Sequence, residues 1–275
     1  MMSDLLVSII TISYNSEKYI KKTIESVLYQ TYQNIEYILI DGDSSDDTIK
    51  IIKNYQKRYP QKIKFISEKD NGIYDAMNKG INIANGKIIG ILNSDDWYES
   101  KTIENVISAY KNTNKSVIIH GGMKFWTESE EYLYKDLKDY NEINEQKIKK
   151  SMLINHPTVF VSKDIYDEIG VFDTNYNICA DYEFILRAFF NEYKFIYINK
   201  ILTNMRLGGI SNKSSTYITR CIENYKARRK WMNTFQNVYL SFKDLPLFYS
   251  KSLIKNMLRI MNFDSLIKLY YKIFK

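Results

Sequence analysis

Short runs of β-branched and other apolar residues alternate with amphipathic stretches through the first hundred residues. Leu5 to Ile12, Ile35 to Ile40, Ile63 to Ile66 and Ile88 to Leu92 have the length and content of buried strands. Between them, Glu17 to Tyr29 places Ile20, Ile24, Val27 and Leu28 at helical spacing. Asp46 to Tyr59 and Ile73 to Ala84 read as the next two helices; Ser44 or Ser45 is placed to cap the former, and Pro60 follows its end. Four strands separated by three helices predict a mostly parallel sheet with helices on both faces.

After Trp97 the pattern loosens. It predicts a helix over Ser100 to Lys111, a strand over Ser116 to His120, and a charged, Tyr-rich insertion from Thr127 to Lys150 that is mobile or partly helical. His156 to Val161 reads as a strand, and Asp164 to Ile169 as a short helix closed by Gly170. Asp181 to Asn191 is amphipathic, Phe195 to Arg206 has room for two short strands, and Ser215 to Phe235 reads as one long helix. The domain expectation is an α/β unit over residues 1–212, with halves of about 1–98 and 99–212, then a helical extension over 213–275.

The polar residues that follow the strands share a chemistry. Strand one runs into Ser13-Tyr14-Asn15, strand two into Asp41-Gly42-Asp43-Ser44-Ser45-Asp46, strand three into Asp70-Asn71-Gly72, and strand four into Asn93-Ser94-Asp95-Asp96. Ligands of such sheets bind outside the carboxyl ends of the strands, so a shared site on this edge is expected. A buried strand seldom ends in two bare carboxylates without a counter-ion. Hard cations such as Mg²⁺ or Mn²⁺ commonly join one or two carboxylates to substrate phosphates. A turn leading into a helix start is the plainer explanation of the same pair.

Composition narrows the chemistry. The chain has 275 residues, 45% hydrophobic, which is ample for a core. Cys179 and Cys221 sit in ordinary helical patterns, and with only His120 and His156 besides, no zinc spacing can be assembled. No Gly-x-Gly-x-x-Gly follows strand one and there is no Walker loop, so a phosphate ligand must depend on metal and side chains. The amino terminus lacks a basic region before an apolar run, and no window reaches the length of a membrane span. A cytoplasmic protein, soluble or attached to a surface, is the expectation.

Net charge is +7, of which residues 246–275 carry +5. The body is therefore close to neutral, which argues against nucleic acid as a partner. Lys251, Lys255 and Arg259 lie at four-residue spacing, with Leu253, Met257, Ile260 and Met261 toward another side. Such a helix suits an anionic membrane surface, or packing on the α/β unit with a solvated basic face.

Several ordered blocks resemble the family 2 glycosyltransferases of GT-A fold, over roughly residues 5–210. They are Val7-Ser8-Ile9-Ile10-Thr11-Ile12-Ser13-Tyr14-Asn15, Ile40-Asp41-Gly42-x-Ser44-x-Asp46-x-Thr48, Lys69-Asp70-Asn71-Gly72-Ile73-Tyr74-Asp75-Ala76-Met77-Asn78-Lys79-Gly80, and Leu92-Asn93-Ser94-Asp95-Asp96. The resemblance implies a Rossmann-like, mostly parallel central sheet flanked by helices. It also implies transfer of a hexosyl or N-acetylhexosaminyl unit, with inversion, from a nucleotide-sugar, usually UDP-linked. The acceptor would be a glycan or lipid-linked precursor of a bacterial surface polysaccharide, met at the inner face of the plasma membrane.

Carried over residue by residue, the resemblance puts Thr11, Tyr14 and Asn15 on the nucleobase pocket. Asp41 then bonds the uracil or ribose, or merely caps its loop. Asp70, Asp75 and Lys79 lie along the nucleotide-sugar, with Lys79 on phosphate or in solvent. Asp96 becomes the ligand of Mn²⁺ or Mg²⁺, Asp95 supports the ribose or a metal-bound water, and Asn93 stands beside them. The general base falls on Asp181, in Cys179-Ala180-Asp181-Tyr182-Glu183, where many relatives have Glu-Asp in place of Ala180-Asp181. Glu183 is the fallback base or a structural partner of Arg187. His156 faces phosphate or acceptor, or is a packed polar residue. Arg206 leads the segment Met205 to Ser211 that would close over diphosphate. A sugar-nucleotide nucleotidyltransferase is the rival enzyme, although it calls for a Gly-rich basic loop where Ser13-Tyr14-Asn15-Ser16 stands.

Overall fold

The first half of the chain runs β1 (Val7–Ser13), α1 (Ile20–Leu28), β2 (Ile35–Asp41), α2 (Thr48–Arg58), β3 (Ile63–Ser67), α3 (Ile73–Ile83) and β4 (Ile88–Asn93). The second half runs β5 (Trp97–Tyr98), α4 (Thr102–Lys111), β6 (Val117–Trp126), β7 (Tyr132–Asp136), α5 (Glu145–Ile148), β8 (Phe160–Ser162), α6 (Lys163–Ile169), α7 (Ala180–Phe190) and β9 (Lys194–Arg206). Two helices follow, α8 (Tyr217–Arg228) and α9 (Thr234–Lys243). The computed structural model describes residues 5–113, 115–127, 129–137, 143–207 and 216–243.

All described strands join one sheet in the order β3-β2-β1-β4-β8-β6-β9-β5, with β7 paired to β6. The block β3-β2-β1-β4 is parallel throughout, as the strand and helix alternation predicts. β8 then pairs antiparallel with both β4 and β6, while β9 runs parallel to β6.

The apolar runs are continuous because each central strand is buried on both faces. On one face Ile10, Ile12, Ile38, Ile40, Ile89 and Ile91 pack against Tyr74, Ala76, Met77 and Ile81 of α3 and against α7. On the other, Val7, Ile9, Leu39 and Leu92 meet Ile20, Ile24 and Val27 of α1, Ile52 of α2 and Ile103 of α4. Gly80 lets α3 lie close to β1, since a Cβ there would meet Ile10 Cγ2 at 2.5 Å.

Four expectations change in the folded chain. His156–Thr158 is a 3₁₀ turn with Pro157 at its start, and only Phe160–Ser162 is strand; a proline has no N–H to give to a ladder. Lys194–Arg206 is one strand of 13 residues, whose register against β6 shifts at Gly121/Gly122 and Gly122/Met123. Those shifts fall in the middle of the segment expected to hold two strands. The single helix expected over 215–235 is two helices, α8 and α9; between them Trp231 stacks on Phe190 of α7 with ring centroids 4.4 Å apart. The insertion after Thr127 contributes the exposed strand β7 and the one-turn α5.

α2 also starts without a side-chain cap, its N-cap position being Asp47, because Ser44 is committed elsewhere. The first part of the extension packs on the α/β unit. Arg228 of α8 is buried and donates to Lys150 O and Ser241 Oγ. The basic segment 246–275 and Gly208-Gly209-Ile210-Ser211 lie outside the described residues. Among the described residues no helix is long and apolar enough to cross a membrane.

A cavity of about 1020 Å³ opens between α4, α7 and the first half of β9, with His120, Phe189, Phe195 and Tyr197 among its lining residues. It contains none of the strand-end carboxylates. Burial pushes the His120 imidazole down from 6.5 to about 4. Between those pH values the unfolded chain binds a proton that the folded chain does not. Burial of His120 therefore costs no stability through protonation above pH 6.5, and a penalty of roughly 3 kcal/mol builds up as pH falls toward 4. We expect His120→Leu to flatten acid destabilisation across this window. Equal slopes of stability against pH in urea titrations of both proteins would rule the assignment out.

Candidate active site

The parallel block brings the four polar strand ends to one edge. Ser13 pairs with Asp41, Asp41 with Ser67, and Ile12 with Asn93, so the ends of β1 to β4 lie within one rung of each other. Asp41 ties three of them together. Its carboxylate has no exposed surface and accepts four hydrogen bonds: Ser13 Oγ at 2.9 Å, Ser44 Oγ at 2.6 Å, Ser44 N at 2.9 Å and Ser67 Oγ at 3.0 Å. Four donors saturate a carboxylate. In this state Asp41 caps its loop, with its acceptor positions taken by the protein.

The turn after β1 is built on the same knot. Asn15 adopts φ +46°, its N–H donates to Ser44 Oγ at 2.8 Å, and its Oδ1 accepts the N–H of Ser45 at 2.9 Å. Its side-chain oxygen is thus spent on the neighbouring loop. Thr11 lies inside the sheet with no exposed surface, its hydroxyl accepting that of Tyr37 at 3.1 Å. It supports the site from below. Tyr14 is 65% exposed, with ring atom Cδ2 3.5 Å from the point a Cβ on Gly42 would occupy.

Asp70 approaches that point from the other side. Its Oδ2 lies 2.6 Å from the absent Cβ, and its Oδ1 accepts the N–H of Gly72 at 2.9 Å. Only a glycine at position 42 leaves room for this carboxylate beside the Tyr14 ring. Asp75 and Lys79 brace the loop below it. Asp75 accepts the N–H of Asn71 at 2.9 Å. The Lys79 ammonium donates to Lys69 O at 2.9 Å and pairs with Glu68 at 2.9 Å and Asp75 at 3.5 Å. In this state all three partners of Lys79 belong to the protein.

The two acids after β4 face differently. Asp96 is 1% exposed; its Oδ1 accepts the backbone N–H of Arg206 at 3.1 Å, and its Oδ2 accepts Asn93 Nδ2 at 3.1 Å. Asp95 is half-buried and bonds no other described residue. Burial raises the pKa of Asp95, and raises that of Asp96 well above the carboxylate range, with the charge of Asp95 adding to the latter. Thr23 of α1 fixes the turn by donating to Ser94 O at 2.8 Å and Asp96 O at 2.7 Å. Asp96 thus holds β9 to β4 through one hydrogen bond on each oxygen, while both oxygens of Asp95 stay clear of other described residues.

Arg206 is also turned inward. It is 3% exposed, donates to Glu130 at 2.8 Å, and lies 4.2 Å from the ring centre of Tyr19. Glu130 in turn pairs with Lys22 at 3.0 Å, whose ammonium lies 3.7 Å from the Trp97 ring. In this state the guanidinium expected on diphosphate is committed to a carboxylate and aromatic faces. Charge alone, read along the chain, carried no sign of Glu130.

Asp181 stands in the first turn of α7, half-buried. Its Oδ1 accepts the N–H of Tyr182 at 2.8 Å and the hydroxyl of Tyr74 at 3.2 Å, which also donates to Ile178 O at 2.6 Å. No described residue bonds its Oδ2. The N-cap of α7 is Cys179, so Asp181 is not the cap. Glu183 is buried and held by Arg187 in a double contact, Nε at 3.2 Å and Nη2 at 2.9 Å, which makes it the structural partner of that arginine. His156 packs edge-on to Phe172; burial lowers its pKa, and the nearby charge of Asp181 offsets part of that. Tyr74, Glu130 and Ser67 are site components that no spacing along the chain announces.

Comparison with known proteins now decides the class. The family described as "Glycosyl transferase family 2" matches residues 8–170, more than half of the chain.

The chain is a family 2 glycosyltransferase. Its relatives include the "Uncharacterized glycosyltransferase MJ1057" of Methanocaldococcus jannaschii, 29% identical over 84% of this chain and 81% of that one. The "Minor teichoic acid biosynthesis protein GgaB" of Bacillus subtilis is 26% identical over 82% of this chain, which spans only 25% of GgaB. Among solved structures, S. aureus TarS 1-349 in complex with UDP-GlcNAc superposes with a TM-score of 0.64 at 17% identity, covering 86% of this glycosyltransferase and 71% of that TarS 1-349 chain. The mannosyltransferase PcManGT from Pyrobaculum calidifontis, in complex with GDP-Man and Mn²⁺, gives 0.63 at 15%, with 86% and 68% covered. These likenesses establish the GT-A fold.

Proposed function

We propose that this glycosyltransferase moves a sugar from a UDP-sugar to a hydroxyl of a surface glycan or its lipid-linked precursor, with inversion at the anomeric carbon. One observation carries the proposal: three of the acids gathered at the sheet edge and on α7 that keep an uncommitted oxygen match the needs of such a transfer. They are Asp70 beside the Tyr14 ring, Asp95 after β4, and Asp181 on α7. They match three tasks, which are to read the base, to hold the diphosphate and to take a proton. TarS in complex with UDP-GlcNAc supports the uridine donor, and GgaB, named for teichoic acid biosynthesis, supports the polymeric acceptor.

A divalent cation fits the residues present. Among the described residues no three acidic, histidine or cysteine side chains converge into a cage. Mg²⁺ and Mn²⁺ sites that use substrate phosphates need only one or two carboxylates, and Asp95 provides one. When bound, the cation neutralises the charge that gathers on the departing diphosphate. The protein's own residues do the remainder. Asp181 Oδ2 accepts the proton of the acceptor hydroxyl as that oxygen attacks the anomeric carbon from the face opposite the diphosphate. Tyr74 and the Tyr182 N–H hold the other oxygen of Asp181. His156, kept neutral by burial, orients the acceptor hydroxyl or a phosphate oxygen.

The donor is tested by thermal stabilisation and hydrolysis with UDP-, GDP- and dTDP-sugars in the presence of Mn²⁺. UDP-sugars are expected to stabilise the protein most, and a protein indifferent to every nucleotide-sugar would refute the proposal. The base reader is tested separately. A carboxylate at Asp70 accepts the imide N–H of uracil, so UDP should bind about tenfold more tightly than 3-methyl-UDP, whose N–H is blocked. Gly42→Ala, which drives a Cβ into Asp70 Oδ2, and Asp70→Ala should both erase that difference. Equal affinities in the unaltered protein would remove Asp70 from the base.

A further inference from the structure

Glu223 lies on α8, beyond residues 8–170 that match the family and outside the GT-A sheet. It is 3% exposed, and its two oxygens face the loop that leads into α7. Oε1 accepts the N–H of Asn177 at 2.8 Å and the Asn177 side-chain amide at 3.3 Å. Oε2 accepts the N–H groups of Ile178 and Cys179, each at 2.9 Å. A buried carboxylate is retained only where its lone pairs are used, and here all of them go to three consecutive residues. Those residues end at Cys179, the N-cap of α7, which has no side-chain cap of its own. Glu223 thus does from another helix what a capping side chain does locally, with the helix dipole favouring its charge.

The same loop is gripped from the opposite side. Tyr74, on the first turn of α3, donates to Ile178 O at 2.6 Å and to Asp181 Oδ1 at 3.2 Å. Residue 178 therefore has its N–H held by α8 and its carbonyl held by α3, and Asp181 follows three residues later. Without Glu223 the N–H groups of Asn177, Ile178 and Cys179 would lose their acceptor, that of Cys179 being buried, and the loop would move to find water. A displacement of about 1 Å at a catalytic base costs on the order of a hundredfold in rate.

We infer that Glu223 is a positioning residue for the base: the C-terminal helix α8 sets the orientation of Asp181 through the backbone of residues 177–179. This rests on the proposed base role of Asp181. It makes the helical extension a working part of the catalytic unit, although that extension contributes nothing to the sheet.

Steady-state transfer by the full chain tests this with Glu223→Gln, whose amide presents N–H groups to N–H groups. We expect kcat to fall about ten- to a hundredfold while KM for the UDP-sugar stays within about twofold. Asn237→Ala is the comparison: Asn237 joins α9 to α8 by donating to Tyr225 O at 2.9 Å and touches neither loop nor site. That variant should lose thermal stability with kcat unchanged. If Glu223→Gln loses stability but keeps kcat per folded molecule, Glu223 only holds the fold and the inference is overturned. Should Glu223→Gln fail to fold, Glu223→Asp retains the charge but shortens the reach, and an unchanged kcat there overturns the inference equally. Asp181→Asn separates the two levels, since near-normal transfer in that variant would remove the base itself, whatever Glu223 does.

Discussion

Asp95→Asn is expected to lower kcat for sugar transfer by about a thousandfold or more while the protein stays folded, because loss of a group that neutralises leaving-group charge has effects of that order. The unfolding temperature should hold or rise slightly. Asp95 gives no hydrogen bond to the fold, and burial beside Asp96 makes its charge unfavourable there. Binding provides a readout independent of turnover: UDP-dependent uptake of Mn²⁺, followed by calorimetry or Mn²⁺ EPR, should disappear. Asp96→Asn should behave in the opposite order. It disturbs the acceptor of the Arg206 N–H and of Asn93, so stability drops by about 1–3 kcal/mol before any specific effect on the cation. An Asp95 variant with normal Mn²⁺-dependent turnover, beside a folded Asp96 variant that binds no Mn²⁺, would return the metal to Asp96.

Asp181→Asn should leave UDP-sugar binding within about twofold and cut transfer by roughly a hundred- to ten-thousandfold, the range for loss of a positioned base. The substitution is nearly isosteric, and the amide oxygen can still accept from Tyr74 and Tyr182 N, so a change in fold would not account for the loss. The sharpest measurement is single-turnover transfer at saturating donor, which separates chemistry from binding. NMR of the wild-type product should show the anomeric configuration opposite to that of the donor. Near-normal transfer by the variant, or a retained configuration in the product, would defeat the assignment.

Much of this enzyme was visible in its sequence. Burial on both faces writes itself into the strands as unbroken apolar runs, and the polar residues after each run announce that four strand ends share an edge. Asp181 could be placed at the start of a helix, and Glu183 could be paired with Arg187 by helical spacing alone. What stays hidden is which partner each side chain takes. Nothing in the spacing shows Glu68 and the Lys69 carbonyl folded back on Lys79. Arg206 had no visible carboxylate until the β6–β7 hairpin brought Glu130 across.

The sequence by itself determined the parallel block, the edge on which chemistry gathers, and the acids available to perform it, because periodicity reports which face of each element is buried. Only the tertiary structure decided which acids are spent and which are free. Asp41 is saturated by Ser13 and Ser67, 28 and 26 residues away, and Asp96 is turned inward by a backbone N–H 110 residues on. Asp95 and Asp96 sit in the turn after β4, where nothing in their order says which of them is buried and bonded and which keeps its oxygens clear. That choice depends on hydrogen bonds between distant segments, and those exist only once the chain has folded.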